Sequence, residues 1–111
     1  MDSLERQQTI IQKVLTDYAA IPYANLDLKT QTIFDLKNNH YLLVNVGWQG
    51  QQYVYTCIVH VDIINDKVWI QLDNTEAGIA LDLEEAGILP EQIVLGFREP
   101  ELRQYTGYAV P

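Results

Sequence analysis

The chain has 111 residues, with 15 acidic against 7 basic side chains and a net charge of −8. That length supports one domain, residues 1–111, with a core large enough to fold without crosslinks. The single cysteine, Cys57, excludes an internal disulfide and suits a reducing cytoplasm. No apolar run approaches the roughly 20 residues that span a bilayer, and the polar start from Met1 to Arg6 lacks the apolar stretch of a signal peptide. The expectation is a cytoplasmic protein with no membrane partner.

The charge is unevenly placed. Eight acids fall between Asp73 and Glu101 against one base, Arg98, so that segment carries seven of the eight net negative charges. The bases Arg6, Lys13, Lys29, Lys37, Lys67, Arg98 and Arg103 are scattered, whereas phosphate binding draws its affinity from clustered Lys and Arg. Direct nucleic-acid binding is therefore not expected.

A first helix is expected from Ser3 to about Ala20. Leu4, Ile11, Val14, Leu15 and Tyr18 recur at helical spacing, Asp2 can cap the start with Glu5 as its capping-box partner, and Pro22 stops the helix. Four strands follow: Thr30 to Lys37, His40 to Trp48, Gln52 to Ile64 and Lys67 to Asp73. The turns fall at Lys37-Asn38-Asn39, around Gln49 between Gly47 and Gly50, and at Asn65-Asp66. Such short turns imply an antiparallel meander.

In the third strand, strict alternation puts Tyr53, Tyr55, Cys57, Val59 and Val61 on one face, and Val54, Thr56, Ile58, His60 and Asp62 on the other. Both faces are too apolar to stand wholly in water, so the second helix, the tail or another subunit of a homo-oligomer is expected to cover part of the second. A second helix is expected from Asn74 to Ala86, with Asp73 as N-cap, Glu76 as its box partner and Gly87 after its end. A short irregular tail follows, in which Pro90 and Pro100 can open turns and Ile93 to Phe97 can form a strand. The fold class is thus α+β: a four-stranded antiparallel meander packed with an N-terminal helix and a second helix after the fourth strand.

Little in the chain points to catalysis. Strict alternation sends Cys57 and His60 to opposite faces, so they form no dyad; His60 and Asp62 share a face but have no placed nucleophile. The spacing of His40, Cys57 and His60 matches no zinc pattern, no calcium loop is present, and no cofactor motif is found. The candidate pocket or cap cluster is His60, Asp62, Asp73, Thr75 and Glu76; capping alone accounts for the residue types from Asp73 to Glu76. Seven tyrosines and two tryptophans suit an interface core, and equally suit ordinary sheet packing. The acidic residues Asp82, Glu84, Glu85 and Glu91 are the candidate partner-binding face; the alternative is a solvated surface.

The ordered set Ile33-Phe34-Asp35, His40-Tyr41-Leu42-Leu43, Val46-Gly47-Trp48, Val54-Tyr55, His60-Val61-Asp62-Ile63, Lys67-Val68-Trp69-Ile70-Gln71, Asp73, Thr75-Glu76, Gly78-Ile79-Ala80, Ile93-Val94-Leu95-Gly96-Phe97 and Tyr105-Thr106-Gly107-Tyr108-Ala109 resembles the XisI-like family, from the first helix to the tail. Members are called fdxN-element excision controlling factors and are known chiefly from cyanobacteria. The resemblance implies a non-catalytic accessory role in excising a DNA element, with a separate recombinase doing the chemistry and an XisH-like companion protein as partner. It supplies no catalytic residues. Family members often carry basic residues after the second strand and in the tail, whereas Gln51-Gln52-Tyr53 and Leu89-Pro90-Glu91-Gln92 here are uncharged or acidic. The alternative to a binding module is a small enzyme using His60 and Asp62 near the Asp73–Glu76 corner.

Overall fold

The computed structural model describes residues 2–21 and 27–110. Its elements in chain order are α1 (Ser3–Ala19), β1 (Asp27–Asp35), β2 (His40–Gln49), β3 (Gln52–Ile64), β4 (Lys67–Asp73), α2 (Ile79–Glu85), a 3-10 turn (Pro90–Gln92), β5 (Ile93–Leu95) and a second 3-10 turn (Pro100–Tyr105).

The strands form one sheet in the order β1-β2-β3-β4-β5. The first four pair antiparallel as the meander expected from the sequence. The fifth corrects the four-stranded expectation: β5 lies parallel to β4, with Val68 opposite Ile93 and Ile70 opposite Leu95, so the sheet is mixed. Parallel neighbours need a crossover, and α2 with the first 3-10 turn provides it. Within the tail, the turns expected at Pro90 and Pro100 and the strand expected within Ile93 to Phe97 are all present, the strand being shorter, Ile93–Leu95. Beyond the second turn, the Ala109 N–H donates to the Ile93 carbonyl at 2.7 Å.

Both helices cover the same face. Ile11 and Leu15 of α1 and Ile79 and Leu83 of α2 join Tyr41, Leu43, Val59, Val61, Val68 and Ile70 of the sheet in one buried cluster. Helix α1 begins as its sequence implies, with the Asp2 carboxylate accepting the Glu5 N–H at 2.8 Å. Its apolar stripe is offset from the expected one: Leu4 is exposed, and Gln7 is fully buried in line with Ile11. The Gln7 amide donates to Asp66 O at 2.8 Å, while Gln8 donates to Leu36 O and Asn39 Oδ1. The helix therefore holds the β1–β2 and β3–β4 turns together at one end of the sheet. Pro22, the expected stop, lies outside the described residues.

Two bulges change the faces of β3. Leu43 pairs with Val59 and Val44 with Cys57, so Ile58 has no partner in β2; His60 pairs with Leu72 and Val61 with Ile70, so Gln71 is extra in β4. A bulged residue breaks the two-residue alternation. Ile58 joins the helix-facing core beside Val59, Val61 and Ile63. Tyr53, Tyr55 and Cys57, paired with Trp48, Val46 and Val44, move to the same open face as His60 and Asp62. The strictly alternating assignment is thus overturned at Ile58. Farther along, Gly47 lies inside β2 and not beside the turn. A Cβ there would meet Asp27 O at 2.5 Å, so only glycine permits β1 this close.

Helix α2 starts later than expected, at Ile79 and not Asn74. Gly78, at φ 88°, breaks the helical path. Asp73 still caps, but by reaching across the loop: its carboxylate accepts Ile79 N–H at 2.6 Å and Thr75 N–H at 3.0 Å. Glu76 is exposed in that loop, not a box partner. Gly87 follows the helix at φ 117°, as a C′ glycine should.

Ile11 sits fully buried between α1 and the sheet. Ile11→Ala is expected to destabilise the fold by about 2–5 kcal/mol, read from urea unfolding. A cost below about 1 kcal/mol would contradict this packing.

Candidate functional site

The open face of the sheet carries a row of cross-strand neighbours: Asp35 of β1, His40 of β2, Asp62 of β3, Trp69 of β4 and Val94 of β5. At its centre, His40 Nδ1 lies 2.7 Å and His60 Nε2 lies 2.8 Å from the same oxygen, Asp62 Oδ1. Gln71 Nε2 donates to Oδ2 at 3.3 Å. An ionised carboxylate only accepts, so each ring presents an N–H to it: Nδ1–H in His40 and Nε2–H in His60. Asp62 is buried, His60 part-buried and His40 half-exposed.

The electrostatics follow from this wiring. Burial pushes the Asp62 carboxyl up, but the hydrogen bonds from His40, His60 and Gln71 and the charge of His60 outweigh it, leaving Asp62 below its ordinary value. The Asp62 hydrogen bond raises His40, aided by the charges of Asp62 and Asp35 against a smaller desolvation. Asp35 is itself held low, chiefly by the side-chain and backbone hydrogen bonds from Asn38.

The sequence pattern identified His60 and Asp62 but missed His40, which reaches Asp62 through strand register and not through sequence spacing. The other cluster residues stand apart. Asp73 pairs with the buried Val59 and so lies on the helix side, where its carboxylate takes Thr75 Oγ1, Thr75 N and Ile79 N; Thr75 Oγ1 in turn accepts Gly78 N–H at 3.1 Å. His60 and Asp62 do not converge with Asp73, Thr75 and Glu76.

Cys57 does share a face with His60, because of the bulge at Ile58. Its thiol donates to Val59 O at 3.4 Å, and burial pushes the thiol up. A protonated thiol is a poor nucleophile.

The acidic residues divide. Asp82 and Glu85 line a cleft of about 340 Å³ between α1 and α2, together with Lys13, Asp17 and Tyr18. Glu91 is exposed in the first 3-10 turn. Glu84 accepts the Tyr108 hydroxyl at 2.7 Å; burial and this carboxylate push Tyr108 up to about 12. Glu84 thus fastens the C-terminal segment to α2.

That segment also explains how part of the open face is covered. Arg103 is buried, its guanidinium 5.1 Å over the Trp69 ring and bonded to Gly96 O at 3.3 Å. The cover reaches β4 and β5 only. Over β1 to β3, Ile33, Trp48, Tyr53 and Tyr55 remain 44%, 56%, 53% and 66% exposed, with Trp48 edge-on to Tyr53 at 5.2 Å. An aromatic patch of this kind is unusual on a surface with no partner.

These features define a small α+β protein with one helix-covered sheet face and one half-open aromatic face that carries a His–Asp–His cluster. The chain belongs to the XisI protein family, whose model matches residues 1–110. It is similar to the solved structure of a XisI-like protein from Anabaena variabilis, at 39% identity and a TM-score of 0.86, with 99% of this chain and 100% of that one covered. It is also similar to the fdxN element excision controlling factor XisI of the same organism, at 31% identity and a TM-score of 0.83 over the same shares. No curated protein matches the chain. No helix among the described residues is long and apolar enough to cross a membrane.

Asp62→Asn weakens the hydrogen bond and removes the charge that together raise His40, so the His40 pKa should fall toward about 6.5 in an NMR titration. The signs fix the pH window. Asp62, lowered in the fold, contributes stability above about pH 4 that is lost as pH falls through its folded value; His40, raised, contributes stability below about pH 6.5 that is lost as pH rises through its folded value. The stability gap between wild type and Asp62→Asn should be widest between those limits and narrow on both sides. A gap that does not change with pH would contradict the pairing.

Proposed function

We propose that this protein is a non-catalytic controlling factor for excision of a DNA element of the fdxN type, and that it acts by binding a companion protein of the XisH-like kind. The accessory role is supported by family membership and by the printed name of the Anabaena variabilis relative. The observation that carries the binding mode is the exposed aromatic patch of Trp48, Tyr53 and Tyr55 on the uncovered half of the sheet. Aromatic side chains bury a large area at low entropic cost, and they dominate interface energetics when they dock into a partner.

The charge distribution supports an indirect relation to DNA. Lys13 is paired with Asp17, Arg103 is buried against Trp69, and Arg98 lies over Phe97, so these three bases are engaged within the chain. The exposed acids Asp82, Glu85 and Glu91 are suited to steering a basic partner toward the protein. Glu84 contributes less, because it already holds Tyr108. The small-enzyme reading draws on His60 and Asp62 near the Asp73–Glu76 corner, and those two groups lie on opposite sides of the sheet.

Three measurements test the proposal. Trp48→Ala with Tyr55→Ala should weaken companion binding at least about tenfold at an unchanged melting temperature, because exposed side chains add little to the fold. Asp82→Lys, Glu85→Lys and Glu91→Lys together should slow association at low salt and much less at high salt. No binding of the XisH-like companion by the wild-type chain would overturn the reading. Binding that survives loss of the aromatics would place the contact elsewhere. By fluorescence anisotropy, the isolated chain should leave duplex DNA unbound at physiological salt; micromolar binding with a steep salt slope would reverse the conclusion about DNA.

A further inference from the structure

We infer that His40, His60 and Asp62 form a binding site for one divalent transition-metal ion, with Zn²⁺ as the reference cation. The three donor atoms, two imidazole nitrogens and one carboxylate oxygen, lie within 4.8 Å of one another. They converge on one point because His40 and Asp62 are cross-strand partners while His60 and Asp62 sit two residues apart on β3.

The donor set selects the ion. Two imidazoles with one carboxylate suit zinc, copper, nickel or iron, whereas magnesium and calcium prefer sites built from oxygen. Zn–N and Zn–O bonds of about 2.0–2.2 Å put ligand atoms of a tetrahedral ion about 3.3 Å apart. The two contacts to Asp62 Oδ1, now 2.7 and 2.8 Å, open by about half an ångström as the metal takes the place of the bridging N–H groups, and the two nitrogens draw closer. A neutral imidazole can shift its proton to the other ring nitrogen, so the exchange needs no net charge change in the rings.

The surroundings favour occupancy. The ligands stand on paired strands and not on a loop, so their positions are held before the ion arrives. Gln71 fixes Asp62 through Oδ2 and leaves Oδ1 aimed between the two rings, the kind of outer contact that orients a metal ligand. Asp35, beside His40 on β1, adds negative potential without being one of the three donors. His40 is half-exposed, so the fourth coordination position opens to solvent.

The test uses the full chain, freed of any histidine tag, and zinc chloride as titrant. Calorimetry should show one Zn²⁺ per chain, and Co²⁺ should give visible absorption bands of a low-coordinate site. The imidazole resonances of both His40 and His60 should move with one equivalent of metal. His60→Ala and Asp62→Asn should each weaken binding at least tenfold, and Gln71→Ala by about 10–100-fold. His40→Ala, at a half-exposed strand end, keeps the test decisive if the buried substitutions unfold the protein. Magnesium chloride should give no stoichiometric binding. Absence of stoichiometric Zn²⁺ binding to wild type, or equal binding by wild type and His40→Ala, would overturn the assignment.

Discussion

The constraint behind this structure is that a five-stranded sheet has two faces, and the two α-helices among the described residues both lie on the same side. Ile11, Leu15, Ile79 and Leu83 bury the core of that side. The other side must be closed by something else or left open. The chain does part of each: after β5 it folds back so that Arg103 lies on Trp69, and Tyr108 ties to Glu84 on α2. This strap reaches β4 and β5, and the rest of the face keeps its aromatics in water. The proposed function follows from that incomplete cover.

Asp62 sits where the covered and open halves meet. A carboxylate buried there would be costly if unpaired, and three donors satisfy it. The same wiring leaves its one shared oxygen between two imidazoles. The strand register that builds the cluster is set at the other end of the chain's logic, by the turns that Gln7 and Gln8 of α1 hold in place.

What could be read in the sequence was local. The Asp2 cap, the strands of the meander, the Asn65-Asp66 turn with both residues at positive φ, and Gly87 after α2 are each encoded within a few residues. What could not be read depends on distant partners. The bulge at Ile58 is invisible in β3 alone, yet it moves Tyr53, Tyr55 and Cys57 to the face of His60. Strand β5 is legible as a short strand, but its parallel place on the free edge of β4 is not. His40 belongs to the site because it pairs with Asp62 across strands, 22 positions away. Gln7 looks like a surface residue until Asp66 O takes its amide. The late start of α2 turns on Gly78 and on the reach of Asp73, where helix periodicity points to an earlier start.

The central claim is that the uncovered half of the sheet is where another protein docks. Trp48 reports on it directly, once Trp69 is replaced by phenylalanine, which keeps an aromatic ring beneath Arg103. With the companion protein at saturation, the Trp48 emission should shift to shorter wavelength and its quenching by acrylamide should drop several-fold, as expected for a ring leaving water. Emission and quenching that stay the same in the saturated complex would contradict the account.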